Sequence, residues 1–204
     1  MIFNDRKEAG KLLALTLKKK YLQIENGIIL ALPRGGVVVG AEISKTLNIP
    51  LDIIVTRKIG APQNPEYAVA AVSEHEIVLN PSEDIDKKYL ESETAKERQE
   101  ISRRLKSYRG KKPKTNLSGK AVFLVDDGLA TGLTMEVALL EVKREKPEKI
   151  IIAVPVAPPE IIEKLNRKVS DIIVLSIEPL FFAVGGFYEN FDQTRDQEVI
   201  GLLK

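Results

Sequence analysis

AVFLVDDGLATGLT, residues 121–134, is the most informative stretch of this sequence. It opens with a continuous apolar run, which is typical of a strand buried on both faces of a parallel sheet. Two adjacent carboxylates follow at Asp126 and Asp127, and a loop of small residues then leads into a helix predicted over about 133–144. A strand that passes through a tight loop into a helix predicts one unit of an α/β fold.

The same alternation runs through much of the chain. Further buried strands are predicted at the apolar runs 28–32, 51–55, 150–154 and 172–176. Helices are predicted at 5–21, 37–47 and about 158–167. This order predicts a doubly wound parallel sheet, so the expected fold class is α/β.

The long segment between two of these units has a different composition. Residues 57–66 are predicted as a loop because they combine a glycine, two prolines and polar residues. Two short β-like runs follow at 67–72 and 76–79. The charged stretch 82–109 predicts one or two exposed helices, and 110–120 predicts a linker.

The composition excludes several classes of protein. The chain has 204 residues with 31 basic and 29 acidic side chains, and this net charge of +2 argues against a global field for nucleic acid. It has no cysteine and one histidine, which excludes disulfides, thiolate zinc sites and most histidine-based triads. No apolar run approaches the roughly 20 residues of a spanning helix, and the charged N-terminus is unlike a signal peptide. We therefore expect a single-domain cytoplasmic protein with no membrane partner.

The segment after Val125 has the chemistry of a ribose phosphate site. Ligands of open α/β sheets bind at the carboxyl ends of the strands, where this segment lies. The N–H groups of its loop and of the following helix would form an anion cradle, and Thr131 and Thr134 add hydroxyl donors. Because Asp126 and Asp127 would repel a phosphate, we expect them to hold sugar hydroxyls or a divalent cation.

Two other strand ends carry positive charge. Arg34, Gly35 and Gly36 follow the first strand, and the two glycines would let backbone amides approach an anion closely. Arg57 and Lys58 follow the second strand. Together with the acid pair they suit a phosphorylated sugar that carries a diphosphate. Neither a P-loop nor a G-x-G-x-x-G dinucleotide motif is present.

These motifs resemble those of a known family. VDDGLATG resembles the phosphoribosyl pyrophosphate (PRPP) motif of type I phosphoribosyltransferases, LPRGG resembles their pyrophosphate loop, and TRKIGAPQNPEY resembles the start of their mobile catalytic loop. PVAPPE and PLFFAVGGFYENFDQTRDQEV are similar to an uncharacterised branch of that superfamily. The resemblance covers most of residues 1–204. It implies one domain with the type I fold and a small hood from about 1–22 and 177–204.

The resemblance also implies an activity. It is the Mg²⁺-dependent transfer of phosphoribose from PRPP to a nucleobase or another nitrogenous acceptor, with release of pyrophosphate. Such an enzyme would act in nucleotide metabolism, and a homodimer is the expected assembly. A hydrolase or phosphorylase that acts on a ribose 5-phosphate compound is a further possibility.

The resemblance assigns roles residue by residue. Asp126 and Asp127 would bind the ribose 2′- and 3′-hydroxyls, directly or through Mg²⁺. The PRPP-binding loop would comprise Gly128, Leu129, Ala130, Thr131, Gly132, Leu133 and Thr134, with the 5′-phosphate on 130–134. Arg34, Gly35 and Gly36 would hold pyrophosphate, with an unusual peptide geometry at Arg34–Gly35. Arg57 and Lys58 would neutralise the leaving diphosphate, and residues 59–75 would close over the site.

The acceptor is less well defined by the sequence. Members that act on 6-oxopurines carry an acid where this loop has Ala130, which argues against hypoxanthine or guanine. Glu66 is the candidate for proton transfer, although an ordinary loop acid is the favoured interpretation. A base could stack on Phe182 or Tyr188 of the aromatic C-terminal stretch. Alternatively these rings pack the core of the hood or form a dimer contact.

A basic stretch at 103–114 leaves a different function open. It contains seven Lys or Arg residues and no acid. It is interpreted either as a solvated linker or as a patch that contacts nucleic acid. The second interpretation predicts a regulator that senses PRPP or a nucleotide. His75, which lies between two glutamates, is predicted to be a hydrated surface histidine.

Overall fold

The predicted apolar runs form one parallel sheet in the computed structural model, which describes residues 1–21, 24–82 and 85–204. The strands are β1 (Gly27–Ala31), β2 (Leu51–Ile53), β3 (Arg57–Ala61), β4 (Asn64–Val72), β5 (Ile77–Leu79), β6 (Ala121–Val125), β7 (Lys149–Ala157) and β8 (Asp171–Ile177). Five of them pair in the order β2-β1-β6-β7-β8, all parallel. The predicted doubly wound α/β fold is therefore confirmed.

Helices cover both faces of this sheet. They are α1 (Arg6–Lys20), α2 (Gly35–Leu47), α3 (Lys87–Arg109), α4 (Leu133–Lys143), α5 (Pro159–Asn166) and α6 (Asp196–Leu202). Asp5 begins α1, since its side chain accepts a hydrogen bond from the N–H of Glu8. The charged stretch after residue 82 forms the single helix α3 of 23 residues, capped by Asp86. Among the described residues no helix combines the length and apolarity needed to cross a bilayer.

The central strands are apolar throughout because both of their faces are buried. On one face Ile29, Phe123 and Ile151 form a core with Leu13 and Leu17 of α1 and Ile43 of α2. On the other face Leu124 and Ile152 pack with Leu139 and Val142 of α4. Each such side chain contributes about 1.5–3 kcal/mol when it is fully buried.

The predicted loop at 57–66 is a β-hairpin instead. β3 and β4 pair antiparallel, and β5 joins them as the third strand of a second sheet. The glycine and proline that indicated a loop lie at irregularities of this hairpin. The register shifts on both sides of Gly60, and a Cβ there would lie 2.3 Å from the backbone oxygen of Pro65. Gly60 thus permits a close backbone approach within a strand rather than ending it.

The two ends of the chain meet beside the carboxyl edge of the main sheet. The N–H of Phe3 donates to the C=O of Phe187 at 2.9 Å, and the N–H of Glu189 donates to the C=O of Phe3 at 2.8 Å. Phe3, Ala9 and Tyr188 form a separate small apolar cluster. Most of α1 was predicted in the hood but packs instead on the sheet beside α2. Its buried stripe, which includes Leu13 and Leu17, is long enough to cover a sheet face.

Candidate active site

Asp126 and Asp127 leave the carboxyl end of β6 and are held from three sides. The N–H of Asp127 donates to Asp126 Oδ1 at 2.9 Å. Arg6 Nε donates to Asp127 Oδ2 at 2.6 Å. The hydroxyl of Tyr188 donates to the backbone C=O of Asp127 at 2.6 Å. The acid pair is therefore preorganised by the backbone, by the first turn of α1 and by the C-terminal segment.

The local electrostatics favour a cation or a hydrogen-bond donor at this pair. Burial raises the pKa of Asp126 well above its usual value, and the neighbouring Asp127 carboxylate raises it further. The pKa of Tyr188 is also raised, first by burial and then by Asp127, so its phenol remains protonated and can donate. A ligand that brings hydroxyl groups or positive charge would relieve the repulsion between the two acids.

The loop from Gly128 to Thr134 lies against neighbouring elements. A Cβ on Gly128 would lie 2.6 Å from Val184 Cγ1, so any other residue would require Val184 to shift. The N–H of Leu129 donates to the C=O of Val156 at 3.0 Å, in the part of β7 that extends beyond the prediction. Gly132 has a φ of 73°, a left-handed conformation in which glycine is favoured, and it directly precedes α4.

The geometry of this loop fits an anion. Ala130 and Thr131 are exposed, whereas Leu129 and Leu133 are buried and anchor the loop. Thr134 lies in the first turn of α4, where backbone N–H groups have no partner within the helix. An anion at this helix end would meet both the free N–H groups and the positive end of the helix dipole.

The LPRGG loop directly contacts the acid pair. A Cβ on Gly35 would lie 1.9 Å from Asp127 Oδ2, and one on Gly36 would lie 2.9 Å from Asp126 Cα. The two glycines therefore allow the start of α2 to approach β6 closely. The unusual peptide is the cis bond between Pro33 and Arg34, one bond before the predicted position. The structure thus brings together two of the three strand-end segments singled out in the sequence.

The predicted cations have partners within the chain. Arg34 Nη1 lies 3.5 Å from Asp196 Oδ1, at the start of α6. Arg57 Nε donates to Glu97 Oε2 of α3 at 2.6 Å. Lys58 Nζ lies 2.9 Å from Glu66 Oε2, across the β3–β4 hairpin. Among the contacts of the described residues, none joins Arg57, Lys58 or Glu66 to the acid pair.

The two predicted stacking residues differ in environment. Phe182 is 95% exposed, on the segment that passes over Gly128. Tyr188 is buried between Phe3 and Phe191, with ring centroids 5.5 and 5.0 Å away. The stacking role predicted for Tyr188 is therefore corrected, because its ring packs in the core of the hood. Its hydroxyl instead supports the acid pair.

Arg6 contacts the acid pair, although it was not predicted as a residue of the site. Its side chain is 11% exposed, and its guanidinium lies 3.8 Å from the ring centroid of Phe191. A charged residue in the first turn of an amphipathic helix is usually solvated, so no local pattern distinguishes it. What distinguishes it is the contact with Asp127, which is 121 positions away in the sequence.

The basic stretch 103–114 is largely tied into the fold. Arg109 Nε donates to Asp52 Oδ1 at 2.9 Å, and its Nη2 donates to the C=O of Ile53 at 2.7 Å. Other cations of the stretch contact acids or a carbonyl: Arg103 and Arg104 with Glu100, Lys112 with the C=O of Leu203, and Lys114 with Glu145. These contacts leave the nucleic-acid interpretation without a continuous free patch to support it.

His75 has a partner, although half of its side chain is exposed. Its Nδ1 lies 2.7 Å from Glu141 Oε1 of α4, and its backbone N–H donates to Glu141 Oε2 at 3.0 Å. The buried Ser73 Oγ donates to the same carboxylate at 2.7 Å. Glu141 therefore joins the turn between β4 and β5 to α4.

The two carboxylates of the acid pair could supply only part of the coordination shell of Mg²⁺, so a bound ligand and water would have to supply the rest. Within the described residues, no group of three or more His, Cys, Asp or Glu side chains is arranged to hold a metal. Mg²⁺ commonly takes one or two carboxylates and fills its other positions with water and substrate phosphates. Two adjacent carboxylates beside an anion cradle fit this mode of binding. Fold and site together define a protein of the type I phosphoribosyltransferase fold.

Comparison with known proteins supports this classification. A family model for the phosphoribosyl transferase domain matches residues 3–191. Two Mycobacterium tuberculosis proteins, named provisionally as phosphoribosyl transferases, are each 36% identical to the chain over 207 residues. These matches cover 99% of this chain and 46% of each relative, so the chain spans about half the length of the curated relatives it matches.

Solved structures show the same fold. The protein TT1426 from Thermus thermophilus is 44% identical with a TM-score of 0.82, and the match covers 100% of this chain and 98% of that one. A hypoxanthine-guanine phosphoribosyltransferase from Bacillus anthracis shares the fold at 18% identity and a TM-score of 0.51, over 93% and 92% of the two chains. The chain belongs to the phosphoribosyltransferase family, a family of pentosyl-group transferases.

Proposed function

We propose that this chain transfers phosphoribose from PRPP to a nitrogenous acceptor and releases pyrophosphate. The observation that carries the proposal is the direct contact between the LPRGG loop and the acid pair, with Gly35 packed against Asp127. The loop that follows the acid pair leads to the start of α4 and forms an anion cradle for the 5′-phosphate. Acid pair, glycine loop and phosphate loop meet at one edge of the sheet, as a substrate with two phosphate-bearing ends requires.

Each part of PRPP has a counterpart in the chain. Asp126 and Asp127 would accept hydrogen bonds from the ribose hydroxyls. The loop amides, with the hydroxyls of Thr131 and Thr134, would bind the 5′-phosphate. The N–H groups of Gly35 and Gly36, at the start of α2, would bind the diphosphate. Asp126 and Asp127 would also hold Mg²⁺, which when bound supplies positive charge to the leaving diphosphate.

Closure of the β3–β4 hairpin would complete the site. Arg57 and Lys58 now pair with Glu97 and Glu66, in contacts that are only partly buried. Exchanging Glu66 for the diphosphate would cost Lys58 little, because exposed ion pairs contribute about 0–1 kcal/mol. The exchange of Glu97 would cost Arg57 more, because Glu97 is only 13% exposed. The cations would then stabilise the charge that develops on the leaving group, and the hairpin would exclude water.

The acceptor is proposed to be a nitrogenous base other than a 6-oxopurine. Ala130 stands where 6-oxopurine enzymes carry an acid, and Phe182 offers an exposed ring two residues before Val184, which lies against Gly128. Glu66 is proposed for proton transfer because the hairpin that carries it would close over the acceptor. Homodimer formation, a cytoplasmic location and a role in nucleotide metabolism belong to the same proposal, as does the division of residues 1–204 into one domain with a small hood.

Calorimetric titration with PRPP and Mg²⁺ tests the proposal. Wild type is expected to bind, and the double variant Asp126→Asn/Asp127→Asn is expected to lose binding because both acceptor carboxylates become amides. The matched control is Glu25→Gln/Glu148→Gln, which removes two exposed acids before β1 and β7, at the opposite edge of the sheet. Failure of folded wild type to bind, or equal binding by both double variants, would refute the proposal.

Product analysis then distinguishes transfer from hydrolysis. With PRPP and a panel of bases, a transferase forms a nucleotide only when its acceptor is present. Release of ribose 5-phosphate at the same rate without any base would identify a hydrolase.

A further inference from the structure

Arg6 joins the acid pair to the hood. Its Nε donates to Asp127 Oδ2 at 2.6 Å, and its Nη1 donates to the backbone C=O of Asp192 at 2.8 Å. The guanidinium lies over the ring of Phe191 at 3.8 Å and near that of Tyr188 at 5.9 Å. Because both hydrogen bonds and the stacking contact use one planar group, the guanidinium is fixed in position and orientation.

Arg6 also lies against the loop that would bind the diphosphate. A Cβ on Gly35 would lie 2.7 Å from Arg6 Nε as well as 1.9 Å from Asp127 Oδ2. Three segments far apart in the sequence therefore meet at one point: the start of α1, the start of α2 and the end of β6. The permanent charge of an arginine at this point would oppose the repulsion between the acids and the phosphates of a ligand.

The surroundings of Arg6 distinguish it from an ordinary surface ion pair. The side chains of Arg6 and Asp127 are 11% and 15% exposed, so water screens their interaction weakly. The Tyr188 hydroxyl donates to the backbone C=O of the same acid, Asp127, and the Tyr188 ring packs against Phe191. The hood therefore contacts Asp127 twice, through the phenol of Tyr188 and through the guanidinium that stacks on Phe191.

We propose that Arg6 is a positioning residue of the phosphoribosyl site, which holds Asp127 in place and couples it to residues 188–192 of the hood. The inference rests on the proposed function. It fixes one oxygen of Asp127 and leaves the other oxygen and Asp126 for the ligand. It also makes the packing of the hood a determinant of PRPP affinity, although the ligand need not touch Arg6.

The test is a double-mutant cycle on PRPP binding. Wild type, Arg6→Gln, Asp127→Asn and the combined variant are titrated with PRPP and Mg²⁺. Arg6→Gln is expected to weaken binding by about 10- to 100-fold, as for other residues that orient a ligand-binding side chain. If Arg6 acts through Asp127, the combined variant binds no more weakly than Asp127→Asn alone. A purely structural role would make the two losses multiply.

Two further variants control this cycle. Lys7→Gln removes the same charge from the same turn of α1 and should leave binding unchanged. Arg6→Lys keeps the charge but cannot serve Asp127 and the C=O of Asp192 from two nitrogens of a planar group, so its affinity should be intermediate. If Arg6→Gln does not fold, Arg6→Lys replaces it in the cycle.

The outcomes separate this inference from the proposed function. Binding by wild type with unchanged affinity in the Arg6 variants, or fully multiplicative losses, would overturn the role of Arg6 alone. Absence of PRPP binding by folded wild type would overturn the proposed function and the role of Arg6 with it.

Discussion

A single methyl group can test the contact between the LPRGG loop and the acid pair. In Gly35→Ala the new Cβ would lie 1.9 Å from Asp127 Oδ2, 2.6 Å from its Cγ and 2.7 Å from Arg6 Nε. All of these distances are below 3.0 Å, and Cβ atoms in proteins essentially never have contacts that short. The Asp127 carboxylate must therefore move, and Arg6 must move with it or lose its partner.

The structure sets the size of the effect. Overpacking at a well-packed position typically costs about 1–3 kcal/mol. Complete loss of the Arg6–Asp127 contact would approach the roughly 3–5 kcal/mol of a broken buried ion pair. The clashing atoms belong to side chains that can rotate, so we expect the lower range, about 1–3 kcal/mol, in the free energy of unfolding. PRPP affinity should fall by more than about tenfold, because the displaced carboxylate is one of the two that would bind the ribose.

Urea denaturation and PRPP titration measure the two effects in the same samples. Gly201→Ala is the matched control, since it lies in α6 with no atom within 4 Å of its ideal Cβ. Alanine there should stabilise the helix by up to about 1 kcal/mol and leave binding unchanged. If Gly35→Ala has the same urea midpoint and the same PRPP affinity as wild type, the described packing of this loop on Asp127 is refuted.

Two further predictions concern the parts of the chain that support the site. Burial alone would raise the pKa of Glu141, but hydrogen bonds from Ser73 and His75 hold it below its usual value. Its ionised form therefore stabilises the fold above about pH 4.5, and this contribution is lost as the pH falls through the lowered pKa. Glu141→Gln should be less stable than wild type at pH 7, and the difference between their urea midpoints should narrow on acidification. A difference that does not change with pH would contradict a stabilising role of the ionised Glu141 carboxylate. Arg109→Ala leaves the buried Asp52 without its cation and should destabilise by about 3–5 kcal/mol in urea denaturation. The control Lys111→Ala, at an exposed position of the same basic stretch, should change stability by less than about 0.5 kcal/mol, and equal losses would contradict a structural role for Arg109.

Local signals in the sequence account for most of the main sheet. The runs 28–32 and 121–125 are apolar at every position, which requires a strand buried on both faces, and both lie in the parallel sheet. Residues 57–66, which form β3 and the start of β4, were predicted as a loop because Gly60 and Pro65 indicate irregular backbone, whereas the predicted β-like run 67–72 does lie in β4. Pairing between the two strands, with a bulge where the glycine lies, prevails over that local preference.

Some residues of the candidate site could likewise be located from the sequence, and others could not. Asp126, Asp127 and the glycines after β1 could be located from sequence because turn chemistry and strand ends are local features, and the sheet topology brings such ends to one edge. The environment of Tyr188 could not be located in this way. An aromatic residue in a C-terminal segment packs or stacks according to its neighbours, and Tyr188 packs against Phe3 only after the chain ends meet.

The sequence by itself therefore determined the α/β class, the five strands of the main sheet in chain order, and the positions of the acid and glycine loops of the candidate site. These follow from periodicity and turn chemistry over short stretches of neighbouring residues. Only the tertiary structure decided that Arg6 holds Asp127, that Arg109 supports β2, and that Arg57 and Lys58 have partners outside the acid pair. A charged side chain finds its partner through the approach of distant segments, and this approach depends on the packing of the whole chain.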